Sequence, residues 1–208
     1  MSHRPADAIT LFDGTSLIGW RQVDGQPAVW EIADGCMTVT HANIVSLEQF
    51  TDAWVHVEWR EPDLPDKTGQ AKGNSGVYLQ GRYEIQVLDS YGWAVPGLGD
   101  CGAVYNQHAP LVNACKPALE WQTYDLIFRA ARVDDAGQVL SQARLTVFQN
   151  GQVIHNNVEL QGPTGGALDQ EIAQPGPLLL QDHGDRVSYR NLWLVHLPHE
   201  ASDTYDPR

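Results

Sequence analysis

The residues of greatest chemical promise are carboxylates and a histidine set among amides. The run Tyr83-Glu84-Ile85-Gln86-Val87-Leu88-Asp89 alternates apolar and polar side chains and ends in an acid. Successive side chains on a strand point to opposite faces. Tyr83, Ile85 and Val87 therefore share one face, and Arg82, Glu84 and Gln86 the other. The doublet Val87-Leu88 interrupts the alternation, and a bulge there would return Asp89 to the face of Glu84 and Gln86. An acid, an amide and a second acid in one row suit a polar ligand; a solvated outer face is the plainer alternative. Trp54–Arg60 alternates in the same way and offers Glu58 and Arg60 on its polar side. His183 lies in Gln181-Asp182-His183-Gly184, just after an apolar stretch, where Asp182 or a backbone carbonyl would orient its ring.

Those side chains need a scaffold, and the rest of the chain reads as strands. Long helical periodicity is absent. Short β-type runs punctuated by Gly, Pro, Asn and Asp recur instead, as in a sandwich or barrel. Asp34-Gly35 and Asn150-Gly151 predict tight hairpins, the latter of type I′. Gly76–Gln80 and Arg82–Asp89 read as neighbouring strands, with Thr123–Ala130, Arg144–Gln149, Leu178–Gln181 and Val187–Leu197 following. Ser90–Pro117 and Gln161–Pro177 read as long loops, and loops of that length are functional or disordered. Trp93, Tyr105, His108 and Lys116 in the first argue for order. With no repeat or domain break, one domain over 1–208 is expected, its core at about 9–197.

Composition narrows the partners. The 208 residues carry 13 basic and 26 acidic side chains, a net charge of −13, which repels phosphate backbones and anionic membrane surfaces. No apolar run is long enough to span a bilayer as a helix. The opening Met1–Asp7 lacks the apolar centre of a signal peptide. A periplasmic or secreted location is expected if a leader has been removed, a cytoplasmic one otherwise. Among three cysteines, Cys101 and Cys115 flank one loop and either pair or stay as two reduced thiols, with Cys36 left over. No C-x-x-C or H-E-x-x-H spacing signals zinc.

Taken in order, several blocks resemble the 3-keto-disaccharide hydrolase domains. They run from Leu11-Phe12-Asp13-Gly14 and Leu17-x-Gly19-Trp20 through Glu58-Trp59-Arg60, Gly73-Asn74-Ser75-Gly76 and the Tyr83–Asp89 run. Cys101-Gly102-Ala103-Val104-Tyr105, Lys116-Pro117, Glu120–Tyr124, Gly162-Pro163-Thr164, Gln181–Gly184 and Arg190-Asn191 complete the series. The resemblance implies an all-β, concanavalin A-like jelly-roll of two antiparallel sheets, one concave and open to a saccharide. It also implies cleavage of glycosides already oxidised to a ketone at C3. Glu84-Ile-Gln86-Val-Leu-Asp89 further resembles the E-x-D-x-x-E strand of β-glucanases, but with Gln and Asp at its second and third positions. That departure weighs against ordinary double displacement.

A C3 ketone acidifies the C2 proton, so a base forms an enolate and the C1 substituent leaves by elimination; water then adds or does not. The site needs a base poised near neutrality, donors for the enolate oxygen and an acid for the leaving group. Glu84 is the first candidate base, with Glu58 and Asp89 raising its pKa if they share its face; a structural pairing with Arg82 or Arg60 is the alternative. His183 is the rival base, and Lys116 would meet the enolate oxygen. Asn74, Tyr78, Gln86, Tyr105, Gln181 and Asp182 supply sugar-binding donors and acceptors. Trp54 and Trp93 would stack on a pyranose, whereas Trp20, Trp30, Trp59, Trp121 and Trp193 read as core. Arg60 and Arg190 would hold the acids charged. No cofactor is required; Glu58, Glu84, Asp89 and His183 would make an oxygen-rich site for a divalent metal if they converge. The rival class is a non-catalytic carbohydrate-binding module, and several carboxylates beside a histidine favour the enzyme.

Overall fold

The computed structural model describes residues 4–199. Its strands are β1 (Ile9–Phe12), β2 (Trp20–Gln22), β3 (Glu31–Ala33), β4 (Cys36–Thr38), β5 (Ile44–Phe50), β6 (Ala53–Arg60), β7 (Ser75–Leu79) and β8 (Tyr83–Val87). Then come β9 (Gln122–Arg129), β10 (Arg132–Val133), β11 (Val139–Ser141), β12 (Arg144–Gln149), β13 (Gln152–Glu159), β14 (Gly176–Leu180) and β15 (Ser188–His196). One 3₁₀ turn, Gly69–Ala71, is the helical content among the described residues. An eight-stranded sheet runs β13-β12-β9-β6-β15-β4-β3, with β1 also on β15; a five-stranded sheet runs β2-β5-β14-β7-β8. All pairings are antiparallel, the expected all-β sandwich.

Period-two patterning builds the core. Val55, Val57 and Trp59 of β6 and Tyr124, Leu126 and Phe128 of β9 face Val77 and Leu79 of β7 and Tyr83, Ile85 and Val87 of β8 in one buried cluster. The residues between them on each strand point outward. Asn150 and Gly151 both take positive φ, as do Asp34 and Gly35, and both hairpins close as type I′ geometry requires. A third such turn, Gln80-Gly81, joins β7 to β8 and fixes the register that sets Tyr78 opposite Glu84 and Gly76 opposite Gln86.

Two sequence expectations fail on β8. There is no bulge at Val87-Leu88: the strand pairs in register from Tyr83 to Val87 and then stops, and Leu88 enters the core. Asp89 leaves the row of Glu84 and Gln86, its N–H donating to Lys72 O and its carboxylate pairing with Lys72 Nζ at 3.0 Å. Both long loops are built onto β8. Gln86 N–H donates to Ala103 O, Tyr105 N–H to Glu84 O, and Glu84 N–H to Thr164 Oγ1, so the loops cover what would be an open sheet edge.

Candidate active site

On the outer face of the five-stranded sheet the two loops enclose a cleft of about 180 Å³. Tyr78 of β7, Glu84 and Gln86 of β8, and Gln181 just past β14 form its floor; Asn74, Tyr105, His183, Gln70 and Gly165-Gly166 complete it. Seven candidates from the sequence thus converge: Glu84, His183, Asn74, Tyr78, Gln86, Tyr105 and Gln181. Gln70 and the Gly165-Gly166 pair were not singled out, although the Gly-rich stretch 162–166 was the available signal.

Glu84 is 3% exposed. Burial pushes its carboxyl up to about 7, the neighbouring Tyr78 hydroxyl opposing the rise. Its position depends on a missing side chain. A Cβ on Gly76 would lie 2.6 Å from Glu84 Oε1 and 2.8 Å from the Tyr78 ring, so both groups occupy the space that glycine leaves. Gly166, at φ +80°, does the same for the Tyr78 hydroxyl, 2.7 Å from where its Cβ would be. That hydroxyl donates to Gly165 O at 3.1 Å and accepts from Gln181 Nε2 at 3.1 Å. Burial, then the Glu84 charge, holds the phenol far above its ordinary pKa. Tyr78 thus keeps its proton.

The amides present acceptors to the cleft. Gln86 Nε2 donates to Gln70 Oε1 and Gly99 O, and Gln181 Nε2 to Tyr78. Gln86 Oε1 and Gln181 Oε1 are buried and meet no donor among the described residues. Two such oxygens beside one cleft would each cost about 1–3 kcal/mol unless something donates to them. Asn74 is locked from behind, its N–H donating to Asp185 Oδ2, while Lys67 Nζ holds the other oxygen of Asp185 at 2.6 Å. His183 stands at the exposed rim.

The other candidates lie elsewhere. Glu58 and Arg60 sit on β6, in the eight-stranded sheet, and point outward on the opposite side of the molecule. Burial would raise the Glu58 carboxyl, but hydrogen bonds from His56, Asn191 and Arg190 outweigh it and hold the pKa at about 2. Arg60 lies over the Trp121 ring, whose other close cation is Arg190 at 3.9 Å; Trp121 is a half-buried surface platform rather than core. Lys116 Nζ donates to Trp121 O at 2.9 Å, away from any enolate in the cleft. Asp89 is bound to Lys72, and Asp182 accepts from Gly184 N–H to close its own turn. Trp54 belongs to β6, and Trp93, 39% exposed, stays outside the cleft lining. Trp193 is buried, but under Trp54 and His56 on the outer side of its sheet.

The four-residue cation set therefore does not assemble: only Glu84 and His183 of it share the cleft. Among the described residues, the Cys, His, Asp or Glu cluster with donor atoms within 4.8 Å is Glu61, Cys101 and Cys115, buried between the sheets. The three cysteines are free thiols. Glu61 accepts from Trp59 Nε1 and Gln122 Nε2, and burial pushes its carboxyl up to about 8.

The chain belongs to the family of 3-keto-alpha-glucoside-1,2-lyase-like domains, which matches residues 7–195. It is similar to a Parabacteroides distasonis structure provisionally named a glycosyl hydrolase, at 38% identity and a TM-score of 0.85. That match covers 93% of this chain and 85% of the other. A second provisionally named glycosyl hydrolase of the same organism shares the fold, at 18% identity and TM-score 0.66 over 92% and 94% of the two chains. No curated protein matches the sequence.

Proposed function

We propose that this domain cleaves 3-keto-glycosides, with Glu84 as the base that takes the C2 proton. The observation that carries the reading is a buried carboxyl held near pKa 7 in a cleft whose amide oxygens await donors. A base of that pKa is half ionised at neutral pH and still strong enough to accept a proton from carbon beside a ketone. Gln86 Oε1 and Gln181 Oε1 accept from ring hydroxyls and orient the sugar.

The steps balance within the cleft. The C2–H pair becomes the enolate as the proton passes to Glu84. The enolate then re-forms the C3 carbonyl, a C1–C2 double bond appears, and the C1–O bond breaks. His183 or Tyr105, both lining the cleft, protonates the departing oxygen. The product is an unsaturated 3-keto sugar; water adding at C1 gives net hydrolysis. The family's description supports elimination as the core event. No second carboxylate faces Glu84 across the cleft among the described residues, which fits this chemistry better than double displacement.

The test is release of 4-nitrophenol from a 4-nitrophenyl 3-keto-glucoside. Wild type should turn over, and Glu84→Gln should fall by about a hundredfold or more with ligand binding kept. Turnover per folded molecule near wild type in Glu84→Gln would falsify the assignment. Binding of 3-keto sugars with no turnover by wild type would make the domain a binding module.

A further inference from the structure

A larger cavity lies on the other side of the molecule. It spans about 500 Å³ on the outer face of the eight-stranded sheet, crossing β6, β9 and β12 beside the Asn150-Gly151 turn. Its walls are Trp54, Ile127 and Phe148; its polar groups are Asp125, Lys116 and Thr123. Nothing in the chemistry proposed for Glu84 uses this groove, because the full thickness of the sandwich separates them.

The groove is built rather than incidental. The Trp54 ring meets Trp193 edge-on at 5.1 Å, and His56 stacks flat on Trp193 at 4.8 Å. Asp125 Oδ1 receives both Trp54 Nε1 at 3.2 Å and His56 Nδ1 at 2.9 Å. One hydrogen-bond cluster therefore fixes the indole plane and the carboxylate together. On the far wall, the bond from Lys116 Nζ to Trp121 O sets the ammonium in place.

We propose that this groove is a second saccharide site, which takes an uncharged pyranose disaccharide with one ring stacked on Trp54. An indole face suits the C–H face of a sugar, while a carboxylate and an ammonium at its edge suit the hydroxyls. The two charges offset one another locally, so the groove selects no net charge, and the chain's −13 repels an acidic glycan. A purely apolar ligand would strip water from Asp125 and Lys116 and return nothing. The volume falls within the usual range for small-ligand sites, about 300–1,000 Å³. Such a site holds the enzyme on a glycan while the cleft acts elsewhere; it stands or falls without the Glu84 chemistry.

The probe is the Trp54 indole N–H, which already reports on Asp125. Protein labelled with ¹⁵N-tryptophan is titrated with trehalose, maltose and cellobiose, each to about 50 mM, the reach needed for weak sugar sites. The Trp54 resonance, assigned with Trp54→Phe, should shift and saturate with one of them. Trp54→Ala should weaken that sugar's calorimetric affinity about tenfold or more. Ile127→Arg, at a position 39% exposed and so safe for folding, should block the groove equally. A Trp54 resonance unmoved by all three sugars overturns the proposal. So does binding that survives both Trp54→Ala and Ile127→Arg, which would put the sugar outside the groove.

Discussion

Replacing Tyr78 by Phe tests the proposed base through its pH profile. With the Glu84 carboxyl at about 7, kcat/KM should climb about tenfold per pH unit below that value and level above it, because only the ionised acid takes a proton. Roughly a tenth of the enzyme is competent at pH 6 and a hundredth at pH 5. Tyr78 is the group that opposes the burial-driven rise. Its hydroxyl is the sole atom lost in Tyr78→Phe, so the inflection should move up by about one unit, the order of a polar neighbour's effect on a buried charge. At pH 6 the variant should then run about tenfold below wild type, and at pH 9 within a few fold of it. Removing the hydroxyl also leaves Gly165 O and Gln181 Nε2 without their partner, at about 1 kcal/mol of stability. Initial rates on the 4-nitrophenyl 3-keto-glucoside between pH 5 and pH 9 decide the matter. A wild-type inflection near the ordinary carboxylate value, or a variant inflection that moves down, would refute Glu84 as the base.

Three further perturbations follow from the same contacts. Gly76→Ala should cost about 1–3 kcal/mol and most of the turnover, because the new methyl displaces Glu84 Oε1 and the Tyr78 ring; full activity on a destabilised fold would mean the carboxyl's position is irrelevant. Glu61, pushed up to about 8, binds a proton in the folded state that the unfolded chain releases above about 4.5. Its contribution is therefore greatest below pH 4.5 and is lost as pH rises to about 8; urea unfolding should show that decline, flattened in Glu61→Gln. Glu58 has the opposite sign: held at about 2, it stabilises above its unfolded value and ceases to as pH falls from about 4.5 to 2. Melting curves across that acid window should show Glu58→Gln losing the pH dependence that wild type has.

Alternation in the sequence reveals which side chains face inward, and that much proved legible: Tyr83, Ile85 and Val87 enter the core while Glu84 and Gln86 point away. Parity is silent on which sheet a strand joins. Glu58 and Glu84 both point outward, but from opposite sheets, so two acids expected to be neighbours lie on opposite sides of the sandwich. Lys116 fails for the same reason, being carried by its loop to the β9 side. Asp89 fails for a local one, since Lys72 ends the strand before a bulge can form. Strand β5 went unannounced because burial along Ile44-Val45-Ser46 does not alternate: Val45 packs with Tyr78 and Leu179 outside the main core. Gln70 was invisible because its role comes from tertiary placement, bridging Gln86 and Asn74 across the cleft.

Strand order has a consequence for how the protein is made. In the five-stranded sheet β14 lies between β5 and β7, and in the eight-stranded sheet β15 lies between β6 and β4. The last two strands among the described residues are thus inner strands, one in each sheet. During synthesis at about 5–20 residues per second, β5 and β7 emerge several seconds before the strand that joins them. Throughout that interval the facing edges of β5 and β7 are open, and Tyr78 lacks Gln181, its partner 103 residues away. The cleft is therefore a late product of folding, complete only when β14 and the residues just after it have joined the five-stranded sheet. Chains cut short before Gly176 keep Glu84 and have no cleft to place it in.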